Sequence, residues 1–343
     1  MDRLARLLEL CWHPVCTLEE LREAFPHPVP VTLLGRHVAV AEVGGQLLAV
    51  TDRCPHRSTR LSLGSVEEGG LRCAYHGWRF GGDGACNQIP SEPGRPIPAR
   101  ACLERFDADT AYGLVWVRLD PAAGTVIPPH PSWADPSMRV VSGAPYSWPT
   151  SAPRRVENFV DLAHFAWVHD GSLGRRDQPV PPIPEVRRRG GALCFDFQPP
   201  DLDVADTALY GYNDYRVTMP LTVDIAFVLP SGAHRRLWMT ASPLDMASCR
   251  SFWSVARDDD RDGDDGPHLS FQQQILDEDE PVVCNQDPPE MVLDTGFELS
   301  VRSDRVSIEY RRWLRQLVDA GERGGEDVQR CLQLDSLAIS SAP

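Results

Sequence analysis

Two short loops near the start of this chain each offer one thiol and one imidazole: Cys54-Pro55-His56 and, sixteen residues later, Cys73-Ala74-Tyr75-His76. Four ligands of this softness suit zinc, or iron with sulfide. A zinc ribbon usually leaves two to four residues between paired ligands, and only Pro55 separates Cys54 from His56. A binuclear iron cluster uses the spacing better, with both thiolates on one iron and both imidazoles on the other, so that each loop serves both metals. Neutral imidazole in place of anionic thiolate raises the reduction potential, which suits delivery of electrons to a second metal.

A second metal has a candidate in Glu157-Asn158-Phe159-Val160-Asp161-Leu162-Ala163-His164-Phe165-Ala166-Trp167-Val168-His169. Residues 155–168 have helical spacing, which puts Asn158, Asp161 and His164 on one face. Such a polar stripe among large apolar residues costs free energy unless it is paired or bound to metal. On a regular helix His169 stands roughly 140° from His164. Both rings therefore reach one metal only if the helix widens or ends between them, and an irregularity of the π-bulge kind is predicted there. Two histidines and a carboxylate make a facial triad, which leaves ferrous iron positions open for O2. Asn158 and Asp161 are the catalytic candidates beside it.

With these residues in view, Cys54-Pro55-His56-Arg57 and Cys73-Ala74-Tyr75-His76-Gly77-Trp78 resemble the [2Fe-2S] motif of Rieske-type non-heme iron oxygenases, and Asp161-x2-His164-x4-His169 resembles the iron motif of their catalytic domain. The resemblance implies a [2Fe-2S] cluster held by Cys54, His56, Cys73 and His76, and a mononuclear Fe(II) held by His164, His169 and a later aspartate. Asp279 is the choice, because residues 276–283 (Leu-Asp-Glu-Asp-Glu-Pro-Val-Val) are similar to the acidic helix of the vanillate and dicamba demethylase branch. Asp277 is the competitor, and a solvated carboxylate the plain alternative. The same resemblance makes Asp161 the bridge from His164 to the cluster histidine of a neighbouring subunit, hence a homotrimer; orienting His164 alone is compatible with the same geometry. Further echoes, in residues 169–174 (His-Asp-Gly-Ser-Leu-Gly), in Ser303-Asp304-Arg305 and in Tyr310-Arg311-Arg312-Trp313-Leu314, are with the saxitoxin-pathway Rieske hydroxylases. The activity this implies is monooxygenation, with hydroxylation of a C–H bond in a small natural product first and O- or N-demethylation second. An electron-transfer or sensing protein without substrate is the reading from another class. The departures at 258–265 and 178–184 leave the substrate open.

Composition narrows the partners. Subtracting 49 acidic from 34 basic residues gives a formal charge of −15, and no basic run tracks a phosphate backbone, so nucleic acid is not expected. No run approaches the ~18 apolar residues of a membrane span. Residues 1–10 mix Arg, Asp and Glu into a leucine pattern unlike a signal peptide, so a cytoplasmic protein is expected. Gly81-Gly82-Asp83-Gly84 has no helix after it, so neither nicotinamide nor flavin is expected to bind. Electrons from NAD(P)H then need a separate flavin reductase, a ferredoxin, or both.

The elements that must position these residues form an α+β protein of two domains, 1–125 and 126–343. The first is small and all-β, with the hairpin signal Gly44-Gly45. Residues 121–153, rich in Pro and Gly, are expected to be linker. In the second, strands at 186–197, 210–229, 235–241 and 251–256 make a central antiparallel sheet, covered by helices that include 269–284 and one carrying Val306, Tyr310, Trp313, Leu314 and Leu317 on a single face. The six aspartates of 258–265 are expected in solvent, calcium being a minor alternative. Phe227, Trp238 and Thr240 are the guesses for the pocket wall, and Trp78 and Phe80 are expected to pack beneath the cluster. His13, His27, His37, His130, His234 and His268 are taken as structural or solvent-facing.

Overall fold

The computed structural model describes residues 2–198, 212–294 and 296–333. They divide into two compact units, Leu8–Ile127 and the chain from Pro128 onward together with the residues before Leu8. The first turn of the chain thus leaves the unit to which the sequence assigned it. Arg3 explains why, because its Nη2 donates to Asp319 (2.7 Å) and Glu322 (2.6 Å) of the late helix.

In chain order the first unit runs α1 (Arg3–Glu9, shared across the division), β1 (His13–Thr17), α2 (Leu18–Ala24), β2 (Val29–Leu33), β3 (Arg36–Val43), β4 (Gln46–Thr51), β5 (Ser65–Glu67), β6 (Gly70–Arg72), β7 (Arg79–Phe80), β8 (Cys86–Gln88), β9 (Arg105–Ala111) and β10 (Leu114–Arg118). The antiparallel order β1-β10-β9-β4-β3-β2 makes one sheet and β5-β6-β7-β8 a second. Strand β3 is buried on both sides and shows the period of two plainly. Val38 and Val40 join one apolar cluster with Val15, Leu33 and Val117, whereas Ala39 and Ala41 join another with Leu71 and Phe80. Cys54 and Cys73 belong to the second cluster. The Gly44-Gly45 turn has φ of 61° and 76°, the left-handed pair that a type I′ hairpin demands.

The second unit runs β11 (Arg139–Ser142), β12 (Tyr146–Trp148), α3 (Ala152–Val160), α4 (Phe165–Val168), β13 (Arg187–Arg189), β14 (Ala192–Phe197), β15 (Tyr212–Thr218), β16 (Thr222–Val228), β17 (His234–Pro243), β18 (Cys249–Arg257), α5 (Gly266–Val283), α6 (Arg305–Arg323) and α7 (Gly325–Gln333). Its antiparallel sheet has the order β11-β18-β17-β16-β15-β14-β13, with β12 also on β18. Of the strand expected over 210–229, residues 210 and 211 lie outside the described residues. The supposed linker contributes two edge strands, because Val140 and Val141 sit opposite Ala256 and Val255 on β18. Helix α3 lies against the sheet and α6 against α3. Val306, Tyr310, Trp313, Leu314 and Leu317 are all buried, each contributing roughly 1.5–3 kcal/mol through the apolar area it removes from water.

The acidic stretch is less free than expected. Asp258 meets His234 (2.7 Å), Asp259 meets Arg235 (2.9 Å), and Asp265 meets Arg139 (2.7 Å) and Arg257 (2.8 Å). Among the described residues no helix is long and apolar enough to cross a membrane.

Candidate functional site

The two cysteine loops close by the same backbone device. Ser58 N–H donates to Cys54 O and Cys54 N–H to Thr59 O; likewise Gly77 N–H donates to Cys73 O and Cys73 N–H to Trp78 O. The fifth residue of each turn is left-handed, Ser58 at φ 59° and Gly77 at φ 67°, which turns the chain back at once. Both cysteines are therefore driven into the core, 2% exposed, while His76 and the neighbouring Tyr75 remain exposed. The rings of His56 and His76 lie 4.5 Å apart, and Trp78 stacks on His56 at 4.6 Å. Phe80 is fully buried in the apolar cluster that includes Cys54 and Cys73. Burial pushes the Cys54 thiol up to about 11, so the thiolate form needs positive charge supplied to it. His56 Nδ1 is buried and has no hydrogen-bond partner, which fits a nitrogen reserved for metal.

In the second unit the helix stops earlier than predicted. Asp161 leaves the helical region (φ −80°, ψ 120°) as the cap of α3, and its Oδ1 accepts the N–H of Ala163. This local bond competes with helix propagation, so the chain turns before His164 and restarts as α4, with His164 and His169 at its two ends. Asn158, Asp161 and His164 consequently do not share one helix face, and a break replaces the predicted π-bulge. The break still achieves what the spacing required, since one nitrogen of each histidine and one oxygen of Asp279 lie within 4.8 Å of one another. Asp279 Oδ1 stands 3.2 Å from His169 Nε2 and 3.6 Å from His164 Nε2. Asp277 points elsewhere, exposed and bonded by Gln273.

Sequence reasoning missed the supports of this triad. His169 Nδ1 donates to Glu278 (2.7 Å), whose carboxylate also accepts from Ser172 (2.8 Å) and Gln274 (2.8 Å). With its proton fixed on Nδ1, His169 has Nε2 free for a metal. The only signal was the acidic run itself, in which Glu278 directly precedes Asp279. Burial opposes charge on Asp279, but the close approach of His169 and the nearby Arg155 outweigh it and hold the carboxyl below its usual range. His164 Nδ1 lies 3.4 Å from Asp161 Oδ2 but is not aligned for a hydrogen bond, and Asn158 Nδ2 donates to Asp279 Oδ1 at 3.0 Å. Two imidazoles and a carboxylate, all half-buried or buried, fit ferrous iron.

A cavity of about 580 Å³ ends at this triad, between the sheet and α5. Its apolar wall includes Phe165, Ile225, Phe227, Leu237, Phe271 and Ile275. Phe227 is where the sequence put it, and Trp238 and Thr240 are not. In the sheet register Ile225 opposes Leu237, whereas Trp238 opposes Asp224 and Thr240 opposes Thr222, so these two stand on the other face. Trp238 donates there to Pro129 O (3.0 Å) and stacks on His130. His268, read as structural, does line the cavity, as does the buried Gln272. A smaller, charged cavity of about 220 Å³ shares Asn158, His164 and Asp279 with the first and is bordered by Asp161, Glu157 and Arg311.

Residues 11–105 match the Rieske [2Fe-2S] domain, and residues 148–320 match the vanillate O-demethylase oxygenase C-terminal domain. The chain is 38% identical to methylxanthine N1-demethylase NdmA of Pseudomonas putida over 94% of its own length and 92% of the relative's. It is 40% identical to methylxanthine N3-demethylase NdmB of the same organism over 92% and 91%. The structure of NdmA from Pseudomonas putida CBB5 with caffeine superposes with a TM-score of 0.93 at 36% identity, over 100% of both chains. Two matched domains and relatives aligned over nine-tenths of their length place this chain among the Rieske non-heme iron oxygenases, enzymes that carry a [2Fe-2S] cluster and a mononuclear iron and use O2 with electrons supplied by a reductase.

Proposed function

We propose that this oxygenase removes an N-methyl group from a neutral, planar heterocycle of the methylxanthine kind. The observation that carries the reading is the charge state of the large cavity. Its walls are mainly apolar, and each arginine lining it already has an acidic partner: Arg235 with Asp259 (2.9 Å), Arg236 with Asp224 (2.5 Å) and Arg257 with Asp265 (2.8 Å). An anionic substrate would need an unpaired cation, and among the described residues the arginines of the cavity offer it none. What it offers is aromatic surface and neutral polar groups, Gln272, Ser231 and Asn158, which suit the carbonyls and ring nitrogens of an uncharged base. The identity with N-demethylases points the same way. Hydroxylation with the methyl group retained, the first expectation from sequence, ranks behind it.

In this reading Cys54, Cys73, His56 and His76 hold the cluster, and His164, His169 and Asp279 hold the iron. Iron bound there supplies reductive activation of O2. One oxygen atom enters the methyl C–H bond and the other leaves as water, with two electrons and two protons consumed; the hemiaminal then breaks its C–N bond to give formaldehyde and the N–H base. Phe165, Phe227 and Phe271 exclude water and hold the ring, Glu278 keeps the His169 proton on Nδ1, and Asn158 steadies Asp279. Exposed His76 and the partly exposed Asp161 are the groups through which electrons pass, from His76 to Asp161 of the partner subunit in a cyclic homotrimer.

The test supplies the assembled enzyme with a reductase and a panel of N-methylxanthines, including caffeine. O2 uptake should match formaldehyde release and the loss of one methyl group from the product. A product heavier by one oxygen with its methyl groups intact would instead make this a hydroxylase. Light scattering should give the mass of three chains, and Asp161→Ala should keep both metals while slowing single-turnover oxidation of the cluster by ~10–100-fold. A monomer with unchanged turnover would end the inter-subunit route.

A further inference from the structure

Arg155 has no exposed surface, and it is held differently from the other buried arginines of its unit. Arg154 meets Glu298 at 2.8 Å and Arg257 meets Asp265 at 2.8 Å, whereas the carboxylate nearest Arg155 is Asp279 Oδ2 at 3.7 Å. Its guanidinium lies over the rings of Phe159 (4.1 Å), Trp148 (4.5 Å) and Tyr146 (5.7 Å), and its Nε donates to the Tyr146 hydroxyl (2.8 Å). Nη1 donates to Asn158 Oδ1, and Nη2 is buried without a partner. A structural role alone gains little from a cation placed so expensively, since an apolar side chain of the same length would fill the aromatic cage.

Its chemistry is specific in one respect. A guanidinium only donates, so the end of the Asn158 amide that faces it must be the oxygen. Nδ2 is thereby turned the other way, 3.0 Å from Asp279 Oδ1 and 3.5 Å from His164 Nε2. Rotating the amide would set NH2 against guanidinium and oxygen against carboxylate, two repulsive contacts in place of two attractive ones. Oδ1 is also the oxygen of Asp279 that faces both histidines, and Oδ2 is the one drawn toward Arg155.

We infer that Arg155 is a positioning residue that turns the Asn158 NH2 toward His164 and Asp279 and draws Asp279 Oδ2 away from the histidines, so that Oδ1 is the carboxylate oxygen that would be presented to an iron held there. This rests on the assignment of His164, His169 and Asp279 as the iron ligands. The two ideas fail separately, because loss of iron from Asp279→Ala tests the ligand set and leaves Arg155 untouched.

The experiment uses the full chain with cluster oxidised and iron loaded, and records the EPR spectrum of the nitric oxide adduct of the mononuclear iron. Arg155→Met should keep one mononuclear iron per chain yet replace the single wild-type signal by an altered or split one, with product formed per O2 consumed down about tenfold. Arg155→Lys, which keeps the charge but not the planar fork, should fall between. Tyr146→Phe removes only the acceptor of Nε and should move the spectrum the same way by less, which keeps the test open if the methionine variant fails to fold. Wild-type spectra in Arg155→Lys and Tyr146→Phe, with lowered thermal stability as the only change, would overturn the inference and leave Arg155 as core.

Discussion

The two metal regions use histidine in opposite surroundings. Around Cys54 and Cys73 the supports are backbone: two tight turns with matched hydrogen bonds, close together in sequence, sink the thiols and leave the imidazole side at the surface. Around His164 and His169 the supports are side chains, and they come from far away, Glu278 lying 109 residues from the histidine it orients. In the proposed reaction one region hands single electrons outward, and its His76 edge is exposed. In that reaction the other keeps water from the substrate, and its His169 and Asp279 are buried. A surface site can be built from local turns alone, whereas an enclosed one requires distant elements to pack.

If that contrast holds, the largest effects should be selective losses. Cys73→Ser should abolish the visible cluster spectrum, and Asp279→Ala should remove the mononuclear iron while the cluster spectrum stays unchanged; both should reduce product formation to background. Metal analysis with optical spectra decides, and a variant that lost both metals would merge the two regions into one. Smaller is the change expected from Glu278→Gln, which keeps the shape of the side chain but weakens the hold on His169 Nδ1–H. Iron(II) affinity by chelator competition should fall ~10–100-fold with no change in the cluster.

Smallest for the metal sites themselves is the effect of acid, which should act on the stability of both units. His13, which bonds Leu8 O at 2.7 Å, and His130, which bonds Ser254 at 2.8 Å, are each pushed by burial down to about 4. The folded-state value lies below the unfolded one, so between these the unfolded chain binds protons that the folded chain does not. Stability should therefore be full above pH ~6.5 and decline as pH falls toward ~4, by on the order of 3 kcal/mol for each ring. Denaturation midpoints measured across this range should flatten in His13→Gln and, separately, in His130→Gln; parallel curves for variant and wild type would discard the assignment.

The two cysteine loops were readable because the four residues proposed to hold the cluster lie in two short turns whose glycine, proline and spacing leave few arrangements. The strands of both sheets were readable from their alternation, and α6 from its apolar face. Harder was the stretch around His164. Its spacing demanded an irregularity, but the choice between a bulge and a break depended on Asp161 bonding its own backbone, a local competition that periodicity does not register. Trp238 and Thr240 were misplaced because a guess about a wall needs strand parity relative to the cavity, and parity is set by register with β16.

Sequence by itself determined the candidate ligand types, their grouping into two sets and the antiparallel α+β plan, because each of these rests on residue chemistry and short-range spacing. Only the tertiary structure decided that Asp279 rather than Asp277 meets the histidines, that Glu278 and Arg155 stand behind them, and that the arginines of the cavity are already paired. The contacts of Asp279 and Glu278 join elements more than a hundred residues apart, and the arginine pairs, 8 to 24 residues apart, join neighbouring strands or a strand and the loop after it. All are fixed by how the elements pack and register, and no local pattern along the chain records which of several similar side chains arrives.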